Sequence, residues 1–315
     1  MGVSAGLGLF EFPFSGAQAF WKWVALCDAG GVDSIWQSDR LVPEQPMLEC
    51  MSTMAALAGA TKHIKFGMNV ASVGLRDPIL LARQCATIDM LSDGRLLPAF
   101  GIGSPLSTDW TGTGTPTRRR GKRTDEALDI IAALWRGERV TFTGEFHRCE
   151  DALLSVLPVQ KKLPLWIGGS SNAAVRRTAR IGTGWMGGRE TPAEAGRVVC
   201  AIRDAATAVG RKVPEDHYGV GMYFRLGPHR DPIVDDEIEQ LRVRFPDRDP
   251  AHAIVTGGAA ELMARLGQYV DVGVTKFVLR PVARGDDDFI DQTKKFIDTI
   301  IPQIAALNAD PHSLT

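Results

Sequence analysis

The sequence is poor in the signatures that announce common chemistries. HExxH, HxH and clustered Cys/His pairs are absent and the six histidines are scattered, so no metal site is expected. GxxxxGK[ST] does not occur, which argues against a P-loop enzyme. Gly101-Ile102-Gly103 starts a glycine motif that does not continue to GxGxxG, so a dinucleotide fold has little support. The five cysteines are odd in number and form no CxxC, which fits reduced thiols and a cytoplasmic protein. No run approaches about 18 uncharged apolar residues, so no membrane helix is expected. The opening MGVSAGLGLFEFPF has no basic n-region and reads as a strand, not a signal peptide. An excess of either charge is missing as well: 36 Lys plus Arg face 37 Asp plus Glu, for a net −1. A nucleic-acid binder normally carries a basic excess. The one basic cluster, Arg118-Arg119-Arg120-Gly121-Lys122-Arg123, reads as a solvated loop or as help for a small anion.

What is present is a core-forming composition, 44% hydrophobic over 315 residues, with 33 glycines of no fixed period. Short apolar runs alternate with amphipathic segments. Strands are expected at residues 6–10, 32–39, 64–72, 96–103, 163–169, 184–188, 218–226 and 276–281. Helical sequence is expected at 17–30, 47–60, 78–91, 124–135, 171–181, 192–209, 235–245, 259–270 and 286–307. The 124–135 helix would be opened by Thr124-Asp125-Glu126. Residues 104–123 read as a long loop and 140–148 as a small hairpin. Strand-helix alternation argues for a parallel sheet. Eight such units argue for a single α/β domain over residues 1–315, a (β/α)8 TIM barrel with insertions at its C-terminal mouth after strands four, five or seven.

Three stretches could carry chemistry. In Trp166 to Arg176 a strand runs through Gly168-Gly169 into Ser170-Ser171 and a helix. Free amides and the helix dipole there suit a phosphate, but a plain turn with a serine N-cap reads equally well. Asn69 to Pro78 closes the third strand and reads first as an ordinary strand end before a proline-started helix. Asp39-Arg40 ends the second strand, where a polar pair is well placed for a site, though a surface ion pair reads the same way.

These segments together resemble the bacterial luciferase-like flavin-dependent oxidoreductases. The matching pieces are VDSIWQSD (32–39), MAALAGATKHIKFG (54–67), ATIDMLSDGR (86–95) leading into LLPAFGIGS, RTDEALDIIAALWRGERVTFTGEFH (123–147), LPVQKKLPLWIGGSSNAAVRRTARIGTGW (157–185) and VDVGVTKFVLRP (270–281). The resemblance implies a flavin at the barrel mouth and a homodimer. It implies either monooxygenation of a small organic substrate with reduced FMN, O2 and a separate flavin reductase, or hydride transfer with a deazaflavin, coenzyme F-420. The monooxygenase is the leading expectation; a flavin-binding protein without turnover is a further alternative, and a carboxylate-based barrel hydrolase or lyase a weaker one. By resemblance, Gly168, Gly169, Ser170 and Ser171 hold the cofactor phosphate, Gly101, Ile102 and Gly103 lie near the ribityl chain or phosphate, and Ser104 is a further cofactor-binding residue. Ser72-Val73 matches the pair that forms a non-prolyl cis bulge against the flavin ring. Asp39 and Arg40 stand where many members have Asp-His. Arg40 is a poor general base, so its expected role is to stabilise an anionic reduced flavin or an acidic substrate.

Overall fold

The computed structural model describes residues 2–244 and 249–309. Along the chain the elements run β1 (Ser4–Leu9), α1 (Ala17–Ala29), β2 (Ser34–Gln37), α2 (Cys50–Ala60), β3 (Lys65–Met68), β4 (Ala71–Ser72), α3 (Pro78–Leu91), β5 (Leu96–Leu97) and β6 (Ala99–Gly101). They continue with α4 (Thr108–Gly112), α5 (Arg120–Trp135), β7 (Val140–Thr143), β8 (Arg148–Ala152), β9 (Trp166–Gly168), α6 (Asn172–Arg180), β10 (Gly184–Gly187) and α7 (Pro192–Ala208). Last come β11 (Tyr218–Leu226), α8 (Pro232–Arg244), β12 (Ile254–Gly257), α9 (Ala259–Val270), β13 (Lys276–Pro281), α10 (Gly285–Thr299) and α11 (Ile301–Ala309).

The parallel strands follow the order β4-β6-β9-β10-β11-β13-β1-β2-β3-β5, with β12 beside β11. Two staves are each split in two. β3 and β4 are halves of one, and β5 and β6 are halves of the next, parted at Pro98, which has no amide to give the ladder. β3 pairs β5 at Phe66↔Leu96 while β4 pairs β6 at Ala71↔Phe100. The ten strands of the path are therefore eight staves, and the sheet closes into the expected (β/α)8 barrel.

Two tryptophans fill the lumen. Trp36 and Trp166 meet edge to face at 6.3 Å and pack with Ala99, Met186 and Val278, all at most 2% exposed. Glycines face them for want of space: a Cβ on Gly67 would lie 2.8 Å from Trp36 and one on Gly184 2.7 Å from Trp166. Part of the glycine excess is thus large-against-small packing.

Several boundaries differ from expectation for identifiable reasons. α5 starts at Arg120, four residues early, because Thr124-Asp125-Glu126 is not a cap. Thr124 is buried, Asp125 accepts from Arg177 at 2.6 Å, and Glu126 accepts the amides of Glu145, Phe146 and His147 at the hairpin turn. The 104–123 loop contains α4, capped by Ser107, whose Oγ accepts from the Asp109 amide at 3.2 Å. The last helix is two, α10 and α11, with Pro302 in the first turn of α11, where its missing amide is harmless. α8 begins at Pro232; residue 245, expected at its end, lies outside the described residues. The insertions follow β6 and β11, while β9 passes to α6 through residues 169–171 alone.

Candidate active site

The third stave breaks at its C-terminal end. The Asn69 amide still donates to Gln37 O at 2.8 Å, and pairing resumes at Ala71 on β6. Between them the Asn69–Val70 peptide is cis. This corrects the expectation of a cis bond at Ser72–Val73. By Ser72 the chain is back in the sheet, and Val73, fully buried, starts a single turn of 3-10 helix.

The break is held from behind by Asp39. Its carboxylate takes two hydrogen bonds from Arg76, at 2.7 and 2.8 Å, and one from the Ser72 amide at 3.2 Å. Burial pushes the Asp39 carboxyl up, against the pull of Arg76 and the Ser72 amide. Asp39 is therefore committed to Arg76 and the Ser72 amide, and it fixes the chain just beyond the strand break.

The break turns Val70 into the mouth. A Cβ on Gly101 would lie 2.7 Å from Val70 Cγ2, and one on Gly168 would lie 2.9 Å from the same atom. These two glycines, expected to admit a cofactor, lack side chains because Val70 occupies the space between their strands. Open space lies elsewhere: a Cβ on Gly221 would have only ordinary contacts, the Asn69 side chain among them at 3.7 Å, and one on Gly188 would meet nothing within 4 Å. At Gly103, φ is +71°, which favours glycine, and a Cβ would crowd Ser72 Oγ and Trp110 at 3.0 Å. The Ser104 carbonyl accepts from Trp110 Nε1 at 2.7 Å, which fixes the start of the following loop.

Gly168 to Ser171 form the turn into α6. Gly169 has φ +98°, and its carbonyl accepts from Trp185 Nε1 at 2.9 Å. Ser171 is the N-cap, its Oγ accepting from the Ala174 amide at 3.3 Å. Asn172 and Ala173 are exposed, and their amides, at the first positions of the helix, have no helical acceptor. Ser170 hydrogen-bonds Glu190, whose carboxylate also takes the amides of Gly188 and Arg189 at 2.7 and 3.0 Å. Arg177, in the last turn of α6, donates to Gly121 O at 3.3 Å and ties that helix to the start of α5. Arg120 there donates to Gly103 O at 3.2 Å and forms no salt bridge among the described residues. The cation and the open amides are what a phosphate requires.

Arg40 is turned onto α4. Its Nε lies 3.0 Å from Asp109 Oδ2 and its Nη2 donates to Thr108 at 3.2 Å. Asp109 also takes the amides of Leu41 and Val42 at 3.0 and 2.7 Å. The charge at position 40 is answered inside the protein.

A different arginine points into the mouth. Arg280, near the end of β13, donates to Ser38 Oγ at 3.3 Å and to Tyr223 OH at 3.4 Å. Its guanidinium lies over the rings of Phe10 and Tyr223, 5.4 and 5.5 Å from their centroids. Its Nε is buried without a partner, and no salt bridge to it exists among the described residues. Sequence reasoning passed over this residue. The available signal was the alternation Lys276, Val278, Arg280 in KFVLRP, which puts a charge on the inward register at the C-terminal end of a barrel strand.

Among the described residues no helix is long and apolar enough to cross a membrane. A family model described as luciferase-like monooxygenase matches residues 13–269. An F420-dependent glucose-6-phosphate dehydrogenase of Microbacterium testaceum is 27% identical over 314 aligned positions, covering 89% of this chain and 91% of that one. An F420-dependent secondary alcohol dehydrogenase, solved with an F420–acetone adduct, superposes with a TM-score of 0.82 at 18% identity, covering 96% of this chain and 99% of that one. The oxygenating constituent of 3,6-diketocamphane monooxygenase from Pseudomonas putida, solved with FMN, gives a TM-score of 0.74 at 16% identity, covering 99% of each chain. At such identities the two structures speak for the fold alone. The family match spans most of the chain and agrees with the barrel: this protein belongs to the luciferase-like monooxygenase family.

Proposed function

We propose that the protein is an oxidoreductase that works with a flavin-type cofactor, FMN or the deazaflavin F420, seated in the barrel mouth. The observation that carries this is the joint placement of two features. The strand break presents Val70 and Asn69 as a shelf, and Val70 abuts Gly168, from which the chain passes in three residues to the open first turn of α6 and its anion-binding amides. A tricyclic ring laid on the shelf, toward Gly188 and Gly221, would send its phosphate to the amides of Asn172 and Ala173. Ser171 keeps that turn capped. When bound, the cofactor would supply the electrons; the protein contributes position, electrostatics and exclusion of water.

In this reading Asp39 is a positioning residue that acts through the Ser72 amide and Arg76, and Ser72, Gly103 and Ser104 shape the path between ring and phosphate. Arg40 fastens the loop after β2 to α4, so the substrate side is walled by the 104–112 segment.

Two finer readings share this seat. Monooxygenation with reduced FMN, O2 and a separate flavin reductase is favoured by the matched family's description. Hydride transfer with F420 is favoured by the glucose-6-phosphate dehydrogenase relative, which aligns over nearly all of both chains. Titrating pure protein with FMN and with F420, each oxidised and reduced, tests both. Tight binding of one cofactor, followed by turnover of reduced FMN with O2, of oxidised F420 with an alcohol or of reduced F420 with a carbonyl substrate, selects the reading. Failure of all four to bind would remove the proposal.

A further inference from the structure

Beside the shelf, a cavity of about 110 Å3 opens under α8, between the ends of β1, β11 and β13. Phe10, Glu11, Tyr223, Glu237, Arg244 and Arg280 line it. Its charges are unequal in their state. Arg244 is answered by Glu11 at 2.8 Å. Glu237 sits where burial pushes its carboxyl up toward the neutral form. Arg280 has two long hydrogen bonds to hydroxyls and a bare Nε. The rings of Phe10 and Tyr223 lie over its guanidinium, and its Nη donors, held only by those long hydroxyl bonds, can turn to a planar two-oxygen acceptor. One unmatched cation fits a monoanion. A phosphate dianion would meet two carboxylates with too little positive charge. A cavity of this size also holds only a small molecule or one end of a larger one. Arg280 reaches the shelf through Ser38, whose Oγ lies 3.4 Å from the Asn69 carbonyl, so a molecule held here borders the proposed ring position.

We propose that this cavity is a carboxylate-recognition subsite, with Arg280 as the specificity residue, and that the substrate is a small carboxylic acid held by its carboxylate. The role as substrate site rests on the proposed function; the binding does not, because it needs no cofactor. Benzoate is the probe, with benzamide as its uncharged isostere, titrated calorimetrically into the cofactor-free full-length protein. Benzoate should bind at least about tenfold more tightly than benzamide, and Arg280→Gln should weaken it about 30-fold, as loss of a charge-assisted pair requires. Arg280→Lys should recover part of the loss. Ala283→Phe, which keeps the arginine and fills the space, should also abolish binding. Equal affinity for benzoate and benzamide, undetectable benzoate binding, or unchanged benzoate affinity in either Arg280→Gln or Ala283→Phe would overturn the inference. Affinity for FMN and F420, measured on the same proteins, should move less than about threefold in Arg280→Gln. Benzoate failure with intact cofactor binding sinks the subsite alone, whereas cofactor failure with intact benzoate binding sinks only the flavin reading.

Discussion

The two ends of the barrel are built from similar residues and treat their charges differently. At the N-terminal floor, Arg95 gives hydrogen bonds to the carbonyls of Ala58, Thr61, Ile64 and Ser92 and to the Thr61 hydroxyl. Arg211 is spent on the carbonyls of Thr178, Ala179 and Gly182. Lys276 is paired with Asp33, although burial pushes its ammonium down to about 7. At the C-terminal mouth, the amides of Asn172 and Ala173 are open, Arg120 holds a single carbonyl, and Arg280 keeps a bare Nε. Buried polar groups are normally satisfied, and those that are not ask for an explanation. Of the groups just compared, those with donors left over lie at the end where a barrel binds its ligands, although Trp166 Nε1, Tyr218 OH and Arg203 Nε are also bare toward the floor.

That contrast can be broken at either end. The largest expected effect is at the floor: Arg95→Ala strands several buried carbonyls and should cost about 3 kcal/mol of stability in urea unfolding, with cofactor affinity unchanged. A matching effect on binding would erase the distinction. At the mouth, replacing Ser170 and Ser171 together by Asp should weaken FMN or F420 about 100-fold, because carboxylates would face the phosphate. Its stability should change by no more than about 1 kcal/mol. Gly101→Ala should affect both, since the new methyl meets Val70: about 1–2 kcal/mol of overpacking together with weaker cofactor binding. Arg40→Ala should cost about 1 kcal/mol, as Arg40 is partly exposed and the buried Asp109 keeps the Leu41 and Val42 amides without it, and should leave the potential of a bound flavin unmoved. A shifted potential would place Arg40 on the cofactor after all.

The smallest effect is one of pH. Burial would raise Glu126, but three hairpin amides outweigh it and hold the carboxyl below its ordinary 4.5. A depressed acid stabilises the fold above its unfolded value and loses that contribution as pH falls through the folded one. Amide exchange at residues 145–147 should therefore accelerate selectively below pH of about 4. Glu126→Gln should exchange fast at neutral pH and show no such acid dependence.

The barrel was legible because its signal is periodic and local. The seventh and eighth strands begin and end where the alternation predicts, at Tyr218–Leu226 and Lys276–Pro281. The Gly168 to Ser171 turn and its serine cap were legible because they depend on neighbours in sequence. What depends on distant partners was not. Nothing in Ser72-Val73 shows that the break lies at Asn69–Val70, because its place follows from how β3 and β4 pair with different partners. Nor does Asp39-Arg40 reveal that one residue turns to Arg76 and the other to Asp109. Arg280 sits in a strand recognised correctly, yet its unmatched charge appears only when the residues around it are known to be hydroxyls and rings.

The central claim is that the open α6 turn and the Val70 shelf form one cofactor seat. It is tested most directly by paired titrations of the wild-type protein and the Ser170→Asp, Ser171→Asp double variant with FMN and F420, and with riboflavin as the phosphate-free control. The account predicts that the phosphorylated cofactor which binds the wild type loses about 100-fold in the variant, while riboflavin binds both proteins equally and weakly. Riboflavin binding the wild type as tightly as FMN, or a variant that holds its cofactor undiminished, would contradict it.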